Sequence, residues 1–410
     1  MNRLVVIGSL HENVELVAEA KRRGYYVIVC DGYENGPAKQ IANKYYNIDV
    51  RDVDSISKIC IKEKANGIIG SFSDLVFEQI TKIAYNAGMK WYATPDMLKY
   101  YRNKNEQKKL LQRIGIATPK HRLINMDFSE NDILQFQFPV LVKPTSGWGS
   151  KNITVFNTIN EMEDIFCFEK NRDGNFEIEE YCDAFEYNCI AWVTSGRINI
   201  LGIADRERNP RSNNSIKPLN RVVYPSIHFE QLHDKVLDVL QKFVNETGQK
   251  SGPISMQFFY KDDTIYVCEI AGRILAHEHE LIKMCGGTDI TSLLLDYVYH
   301  DDLYLLNRIK KTEPNKFACG LYFLCEQNKQ LTDTSITKEL LKEIPEKQKL
   351  FFCDEGQVFD ASCPYYARIY LQSNSKTSLD NQTKFLFKNM CVKDANNKNV
   401  IIPFVLEKRR

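Results

Sequence analysis

Apolar runs alternate with amphipathic segments through the first hundred residues of the chain. The runs "RLVVIG", "YYVIVC" and "NGIIG" lack polar alternation, which is typical of strands buried on both faces of a parallel sheet. Between them, the spacing of apolar positions predicts a helix after Ser9 and further helices around 54–64 and 74–87. Ser9 and Glu12 have capping-box spacing, and Gly24 should end the first helix. The pattern predicts βα units around a parallel sheet.

Longer strands dominate after about residue 100. A lysine-rich helix, "NKNEQKKLLQRIG", ends at Gly115. Hairpins are predicted at Ser195-Gly196 and at Asp262-Asp263, where turn residues separate apolar runs. A Lys/Glu-rich helix is predicted near 335–346. We expect an α/β and α+β protein with a Rossmann-like unit over 1–100, a central unit over 101–304, and a small mixed β unit over 305–410.

Composition narrows the classes of function. The chain has 43% hydrophobic and 26% charged residues, as ordinary soluble proteins do. Its net charge of +1 gives no electrostatic case for binding nucleic acid or an anionic membrane. The 12 cysteines include no CxxC pair, which favours reduced thiols in the cytoplasm over disulfides or zinc. The first apolar run is too short for a signal peptide, and no run approaches the length of a membrane span.

The N-terminal unit has only part of a dinucleotide-binding pattern. Asp31 follows the second strand and is placed for a ribose hydroxyl. The first strand, however, continues into "GSLHEN", which lacks the GxGxxG phosphate fingerprint. We therefore expect this unit to be structural, or to form one wall of a substrate pocket.

The segment "FPVLVKPTSGWGSKNITVF" places glycines and lysines between two apolar strands. Lys143 ends the first strand, and Ser146, Gly147 and Gly149 lie in the loop. A strand follows this loop, whereas a helix follows a Walker P-loop. By itself the segment is either a plain hairpin turn or a lid whose N–H groups cover an anion.

The order of several further motifs bears on this choice. Along the chain the order is Lys104, Lys143, "EEYC" at 179–182, Glu186, Gln257 and Glu269 on two arms of one predicted hairpin, and Arg273. Over the whole chain this order resembles the ATP-grasp superfamily. Within it, the resemblance is to the branch shared by phosphoribosyl-aminoimidazole carboxylases, formate-dependent glycinamide ribotide transformylase, carbamoyl-phosphate synthetase and L-amino-acid ligases. It implies an ATP-grasp fold with 1–100 as pre-grasp domain, 101–304 as ATP-grasp domain and 305–410 as C-terminal domain.

The resemblance implies an ATP site built from lysines, a lid and a hinge. The lysines would contact phosphates, the lid would cover the outer phosphates, and the hinge backbone would contact adenine. Glu179 could accept from the adenine amino group, and Glu186 would hold ribose hydroxyls. Asn103 departs from the Asp that members often carry before the first lysine. The implied ATP-binding residues are Lys104, Lys143, Ser146, Gly147, Gly149, Glu179, Glu180, Tyr181, Cys182 and Glu186.

The resemblance also implies Mg²⁺ or Mn²⁺ at Gln257 and Glu269. An ionised glutamate in an apolar strand needs a cation, and the facing arms of a hairpin would bring both side chains together. Gln257 is neutral where members usually carry an acid, and Ala271 replaces a frequent Asn. Arg273 matches the arginine that contacts an acyl phosphate, so Arg273 and Lys143 are the expected catalytic residues.

Substrate contacts are harder to read from the sequence. "HEHE" at 277–280 lacks the HExxH spacing of a zinc site. The resemblance places this segment at the acceptor pocket, so His277 and His279 are expected to contact substrate, with a solvated helix start as the alternative. Arg221 ends a basic polar stretch that is either a mobile lid over phosphate or a solvated loop.

The expected function is an ATP-dependent carboxylate–amine ligase that forms an acyl phosphate and releases ADP and phosphate. Its expected partners are a small carboxylic acid and an amine or amino acid, with a homodimer left open. One alternative is a carboxylase or carbamoylating enzyme that activates bicarbonate. Another is a nucleotide-binding protein without turnover, which Gln257 and Ala271 favour. The intact lysines, glutamates and Arg273 favour an enzyme.

Overall fold

The structure is a computed structural model. It describes residues 1–70, 72–125, 130–144, 153–162, 175–209, 218–275, 277–311, 313, 315–359 and 364–406. Three sheets organise these residues, together with a short ribbon of two strands.

The N-terminal part of the chain forms the predicted parallel sheet. Its elements are β1 (Arg3–Ile7), α1 (His11–Arg22), β2 (Tyr26–Asp31), α2 (Pro37–Ile41), β3 (Lys44–Asn47), α3 (Val53–Lys62), β4 (Gly67–Ile69) and α4 (Asp74–Ala87). The strand order is β3-β2-β1-β4, and every pairing is parallel. The uninterrupted apolar runs predicted this arrangement, because strands of a parallel sheet are covered on both faces and so carry apolar residues on both.

The predicted capping box of α1 is wrong. The N-cap residue is Leu10, and its side chain makes no capping hydrogen bond. Ser9 instead donates from its N–H and its hydroxyl to Asp31 Oδ2, at 2.6 and 2.8 Å. Ser9 therefore bonds to Asp31, a tertiary partner, and not to the start of its own helix. Asp31, which was considered for a ribose hydroxyl, is thus hydrogen-bonded within the fold. Gly24 follows the helix with φ +77°, as predicted.

A small antiparallel sheet follows. Its part of the chain contains a 3-10 turn (Pro95–Met97), α5 (Leu98–Arg102), α6 (Lys104–Arg113), β5 (His121–Asn125), α7 (Glu130–Ile133), β6 (Val140–Pro144), β7 (Thr154–Phe156) and β8 (Asn175–Glu180). The strand order is β5-β8-β6-β7. Val140 and Ile178 are fully buried in a core that belongs to this sheet.

The third sheet is the largest. Its part of the chain contains β9 (Phe185–Thr194), β10 (Arg197–Arg208), β11 (Leu219–Tyr224), α8 (Phe229–Thr247), β12 (Gly252–Lys261), β13 (Thr264–Ala271), α9 (His279–Met284), α10 (Ile290–Tyr299), α11 (Asp302–Leu306), β14 (Phe317–Leu324), β15 (Leu331–Asp333), α12 (Ser335–Leu340), β16 (Lys349–Phe351), β17 (Tyr365–Ser373), α13 (Lys376–Asn389) and β18 (Lys393–Asp394). The strand order is β13-β12-β9-β10-β11-β14-β17-β16, and β15 pairs with β18.

The predicted hairpins β9–β10 and β12–β13 are confirmed. Ser195-Gly196 and Asp262-Asp263 form their turns, and all four residues have positive φ. The helix predicted near 335–346 is shorter, since α12 ends at Leu340 and a 3-10 turn, Glu346–Gln348, follows. The C-terminal strands continue the large sheet, because β14 pairs with β11.

The N-terminal unit and the large sheet share one hydrophobic core. Leu16 of α1 and Leu294 of α10 are fully buried in the same cluster as Ile254 of β12. An ion pair between Arg23 and Asp296, with 2.6 Å between nitrogen and oxygen, joins the two parts at the edge of this core. Across the described ranges, no helix combines the length and apolar character that a bilayer span requires.

Candidate nucleotide and metal site

Helix α6 carries the first predicted lysine at its start. Asn103 caps this helix, because its Oδ1 accepts from the N–H groups of Asn105 and Glu106 at 3.1 and 3.2 Å. Asn and Asp are both good N-caps, so the departure noted at residue 103 preserves the local geometry. Lys104 then lies with Nζ 3.8 Å from Glu269 Oε2 on β13. A cation and a carboxylate predicted for one site are thus neighbours.

Lys143 lies at the end of β6 and contacts two carboxylates of β8. Its Nζ is 2.7 Å from Glu179 Oε2 and 3.4 Å from Glu177 Oε2. The antiparallel register causes this, since Lys143 is opposite Glu177 and Leu141 is opposite Glu179. Burial opposes the charge on Lys143, but the two carboxylates outweigh it and raise its pKa. Glu179, expected beside adenine, has its Oε2 atom bound to lysine.

Two residues of this cluster were missed from the sequence, Lys108 and Glu177. Lys108 Nζ lies 2.5 Å from Glu177 Oε1 and 2.5 Å from Glu179 Oε2. Burial opposes ionisation of Glu179, but Lys143 and Lys108 lower its pKa to about 2. The available signals were helical i,i+4 spacing from Lys104 and strand alternation with Glu179. Neither signal indicates that the lysine on α6 would pair with the glutamates on β8.

The predicted hinge spans the end of β8 and the residues that lead into β9. The N–H groups of Glu180 and Tyr181 donate to the carbonyls of Lys120 and Pro139, each at 2.9 Å. Cys182 follows, and burial raises the pKa of its thiol to about 11, so the thiol is neutral. The residues that precede β5 and β6 therefore hold the hinge and use two of its N–H groups.

Gln257 and Glu269 face each other across the β12–β13 ladder because a β-bulge beside Gln257 shifts the register by one residue, whereas the turn alone would set Gln257 opposite Cys268. Gln257 also donates from Nε2 to Glu186 Oε1 at 2.5 Å. Glu186, expected at the ribose, contacts Arg208 and lies 2.7 Å from Arg206 Nε. Burial opposes its ionisation, but Arg208 and Arg206 lower its pKa to about 2. Glu186 is therefore a buried carboxylate beside the predicted metal pair.

Arg273 forms a two-pronged ion pair with Asp74, the first residue of α4. Its Nε and one Nη atom lie 2.7 and 2.8 Å from the two carboxylate oxygens. Burial opposes ionisation of Asp74, but the Arg273 guanidinium outweighs it and lowers its pKa. A residue of the N-terminal unit therefore orients the predicted catalytic arginine.

His277 and His279 lie where the large sheet meets the N-terminal unit. His277 has φ +67°, a conformation that a residue with a side chain rarely adopts, and its carbonyl accepts from the Tyr370 hydroxyl at 2.6 Å. His279 is 3% exposed, stacks on Phe72 with 5.0 Å between ring centroids, and has Nδ1 3.1 Å from Glu280 Oε2.

A second group of candidate metal ligands lies here. Glu15, His279 and Glu280 each place a ligand atom within 4.8 Å of the others. Lys283 Nζ is 3.5 Å from Glu15, however, and already supplies a cation, so we assign no ion to this group.

A search of protein-family models found no match to this chain. Two curated relatives are formate-dependent phosphoribosylglycinamide formyltransferases. The protein from Methanococcus maripaludis is 21% identical over 69% of this chain and 72% of the relative. The protein from Haemophilus ducreyi is 24% identical over the same shares.

Solved structures match nearly the whole chain. An L-amino acid ligase from Bacillus licheniformis has a TM-score of 0.79 at 16% identity, covering 96% of this chain and 98% of that one. A phosphoribosylglycinamide synthetase from Anaerococcus prevotii has a TM-score of 0.74 at 15% identity, covering 95% and 99%. The biotin carboxylase domain of a Hydrogenobacter thermophilus 2-oxoglutarate carboxylase, solved with MgADP, ADP and bicarbonate, has a TM-score of 0.70 at 13% identity, covering 95% and 90%.

The chain has the ATP-grasp fold. The resemblance stated from the sequence is therefore confirmed, and so is the predicted mixture of parallel and antiparallel sheets.

Six of the predicted site residues lie in two groups of neighbouring side chains. Lys104, Glu269, Gln257 and Glu186 form one continuous row of contacts and ladder neighbours. Lys143 and Glu179 form the second group, on the small sheet. The lid residues Ser146, Gly147 and Gly149 lie outside the described residues.

Arg221 does not join either of these two groups. It is fully buried in β11, not on a lid, with Nη atoms 2.7 Å from Asp380 and 3.5 Å from Glu207. In strand alternation it faces away from Val222, which belongs to the core shared with the N-terminal unit. Its two carboxylate partners explain why a charged residue is buried there.

The residues of the metal pair fit Mg²⁺. Glu269 supplies a carboxylate oxygen, and Mg²⁺ takes oxygen ligands from carboxylates and amides. The Gln257 nitrogen is the atom at Glu186, so the amide oxygen is turned away from that carboxylate. When bound, the ion would offset the charge of ATP phosphates beside Lys104.

Proposed function

We propose that the protein is an ATP-dependent carboxylate–amine ligase. The observation that carries the proposal is the position of Lys104, 3.8 Å from a glutamate that faces Gln257 across a hairpin. In this arrangement Lys104 would contact phosphate oxygens, and Glu269 and Gln257 beside it would supply oxygen ligands for Mg²⁺. The likeness to an L-amino acid ligase and to relatives named as formate-dependent formyltransferases supports it.

The proposed reaction has two transfers. A carboxylate oxygen attacks the γ-phosphorus of ATP, the bond to the β-phosphate oxygen breaks, and ADP leaves with those electrons. An amine nitrogen then attacks the acyl carbon, phosphate leaves with the carbon–oxygen electrons, and the nitrogen loses a proton. Lys143 would neutralise the phosphates during the first step, and Arg273 would contact the acyl phosphate.

A carboxylic acid is the better-supported first substrate. The curated relatives are named as formate-dependent enzymes. A structural neighbour was solved with bicarbonate, so bicarbonate is the competing acid. The two kinds of acid are distinguished by whether phosphate release requires an amine.

The test is a phosphate-release screen with Mg-ATP and pairs of acids and amines. Formate, other small acids, amino acids and bicarbonate are each tested with and without an amine. We expect release only with a carboxylic acid and an amine together. Release with bicarbonate alone would favour the carboxylase, and ATP binding without release from any pair would favour a protein without turnover. Lys143→Ala and Glu269→Gln serve as inactive controls, with rates about two to three orders of magnitude lower.

The remaining assignments extend this proposal. Residues 1–100, 101–304 and 305–410 would act as pre-grasp, ATP-grasp and C-terminal domains of one enzyme, and His277 and His279 would line its acceptor pocket. The free thiols of the described cysteines support a reducing compartment such as the cytoplasm. A homodimer remains part of the proposal, to be tested by light scattering.

A further inference from the structure

Lys108 is a buried lysine that the proposed chemistry does not use. Its side chain is 2% exposed, whereas that of Lys143 is 16% exposed. Lys108 lies 2.5 Å from an oxygen of Glu177 and 2.5 Å from an oxygen of Glu179. A buried ammonium is stable only when it is paired, and this one is paired twice. The two lysines therefore contact the same carboxylates from different elements, α6 and β6.

The cluster is neutral only while both lysines remain in it. Two carboxylates face two ammonium groups, and the pKa values of both carboxylates are lowered by Lys143 and Lys108 against the cost of burial. Under the proposed function, Lys143 must also reach the ATP phosphates. When it does so, the cluster loses half of its positive charge.

We propose that Lys108 is a positioning residue, a fixed counter-ion for Glu177 and Glu179 that frees Lys143 to bind ATP phosphates. The proposal rests on the proposed function. Its structural basis is the difference between the two lysines. Lys108 is enclosed on a helix whose Gln107 is bonded to the backbone of Ile270, whereas Lys143 reaches solvent at a strand end.

Removal of Lys108 changes the competition for Lys143. The two carboxylates would then have Lys143 as their only cation within the described cluster, and would compete with phosphate for it. Buried charges left without a partner are costly, so the pair should hold Lys143 tightly. ATP should consequently bind more weakly although Lys108 does not touch it.

The experiment measures the dissociation constant of Mg-ATP by calorimetry for Lys108→Met. This change keeps the length of the side chain and removes its charge. We expect the dissociation constant to rise about tenfold or more, which corresponds to about 1.4 kcal/mol per factor of ten. Lys109→Met, on the exposed side of the same helix, should bind like the wild type.

The double variant Lys108→Met/Glu177→Gln provides the rescue. It leaves one carboxylate and one lysine, so the cluster is neutral again and carries the wild-type charge when Lys143 turns to phosphate. We expect its dissociation constant to return to within about threefold of wild type, and Lys108→Arg to bind like wild type. A lysine that only supported the fold would change the melting temperature and leave the dissociation constant of the folded protein unchanged.

Thermal unfolding separates this inference from the proposed function. Lys108→Met should lower the melting temperature and the double variant should restore most of it, whether or not ATP binds. If Lys108→Met is too unstable to assay, the double variant and Lys108→Arg carry the test. Wild-type binding by Lys108→Met, or a folded double variant as weak as the single, overturns the inference. A wild-type protein that does not bind Mg-ATP overturns the proposed function instead.

Discussion

At the scale of single residues, Gln257 has a defined orientation. Its Nε2 must face Glu186, because an ionised carboxylate only accepts hydrogen bonds. Glu186 is ionised at neutral pH, since Arg208 and Arg206 outweigh its burial and lower its pKa to about 2. A neutral amide is thus matched to the carboxylate beside it, and its oxygen is left for a cation. Gln257 therefore donates a hydrogen bond to Glu186, which an ionised glutamate at the same position could not do.

Gln257→Glu should make the protein depend on Mg²⁺ for stability. The new carboxylate would lie against Glu186, and like charges at hydrogen-bond distance repel. We expect a lower melting temperature than wild type without metal, and a larger rise when MgCl₂ and ADP are added. Gln257→Met, which has neither charge nor amide, should show no such gain. If Gln257→Glu melts like wild type with and without Mg²⁺, the amide does not belong to the metal site.

At the scale of elements, α6 connects the two sheets that surround the site. Lys104 faces Glu269 of the large sheet, and Lys108 binds β8 of the small sheet. Gln107, 3% exposed, lies between them. It donates to the carbonyl of Ile270 at 2.6 Å and accepts from the N–H of Ile270 at 2.9 Å. Because β13 is an edge strand, Gln107 supplies the pairing that a further strand would give.

Gln107→Ala should destabilise the protein and disturb the metal site. It leaves a buried N–H and a buried carbonyl unpaired next to Glu269, at a cost of about 2–4 kcal/mol in the free energy of unfolding. Urea unfolding should show this loss, and the Mg²⁺ concentration for half-maximal activity should rise. Gln112→Ala, on the exposed face of α6, should cost less than about 0.5 kcal/mol. Equal stability of both variants would contradict the role of Gln107.

The sequence predicted those parts of the site that depend on local order. The hairpin turn at Asp262-Asp263 places β12 beside β13, and Lys143 lies near the end of an apolar strand. The pairing of Gln257 with Glu269 also needs the β-bulge beside Gln257, which the turn residues do not predict. Lys108 with Glu177, and Asp74 with Arg273, are 69 and 199 residues apart in sequence. Tertiary packing brings such partners together, and the periodicity of apolar residues in the sequence does not indicate which residues will meet. The capping box failed for the same reason, because Asp31 took the Ser9 hydroxyl.

At the scale of the whole molecule, three parts of the chain meet around His277. Arg368 comes from β17, Glu280 and His279 from α9, and His11 from the start of the N-terminal unit. Burial, together with the positive charge of Arg368, lowers the pKa of His277 to about 3. The ring is thus neutral in the folded protein at a pH where it is protonated in the unfolded chain. Protonation of His277 would place a second positive charge beside Arg368.

Stability should therefore fall as the pH drops below about 6.5, the usual value for histidine. Between that pH and about 3 the unfolded chain binds the proton and the folded protein does not, so stability rises with pH across this window. The loss from this residue alone should reach about 2 kcal/mol between pH 7 and pH 5. The lowered pKa values of Glu179 and Glu186, about 2, add a further loss only below about pH 4.5. His277→Asn, which tolerates positive φ, should flatten the melting temperature between pH 7 and 5, whereas His233→Asn, at a partly exposed position of α8, should follow the wild type. An unchanged slope in His277→Asn would mean that the junction of the three parts does not exclude the proton, and that other groups set the acid limit.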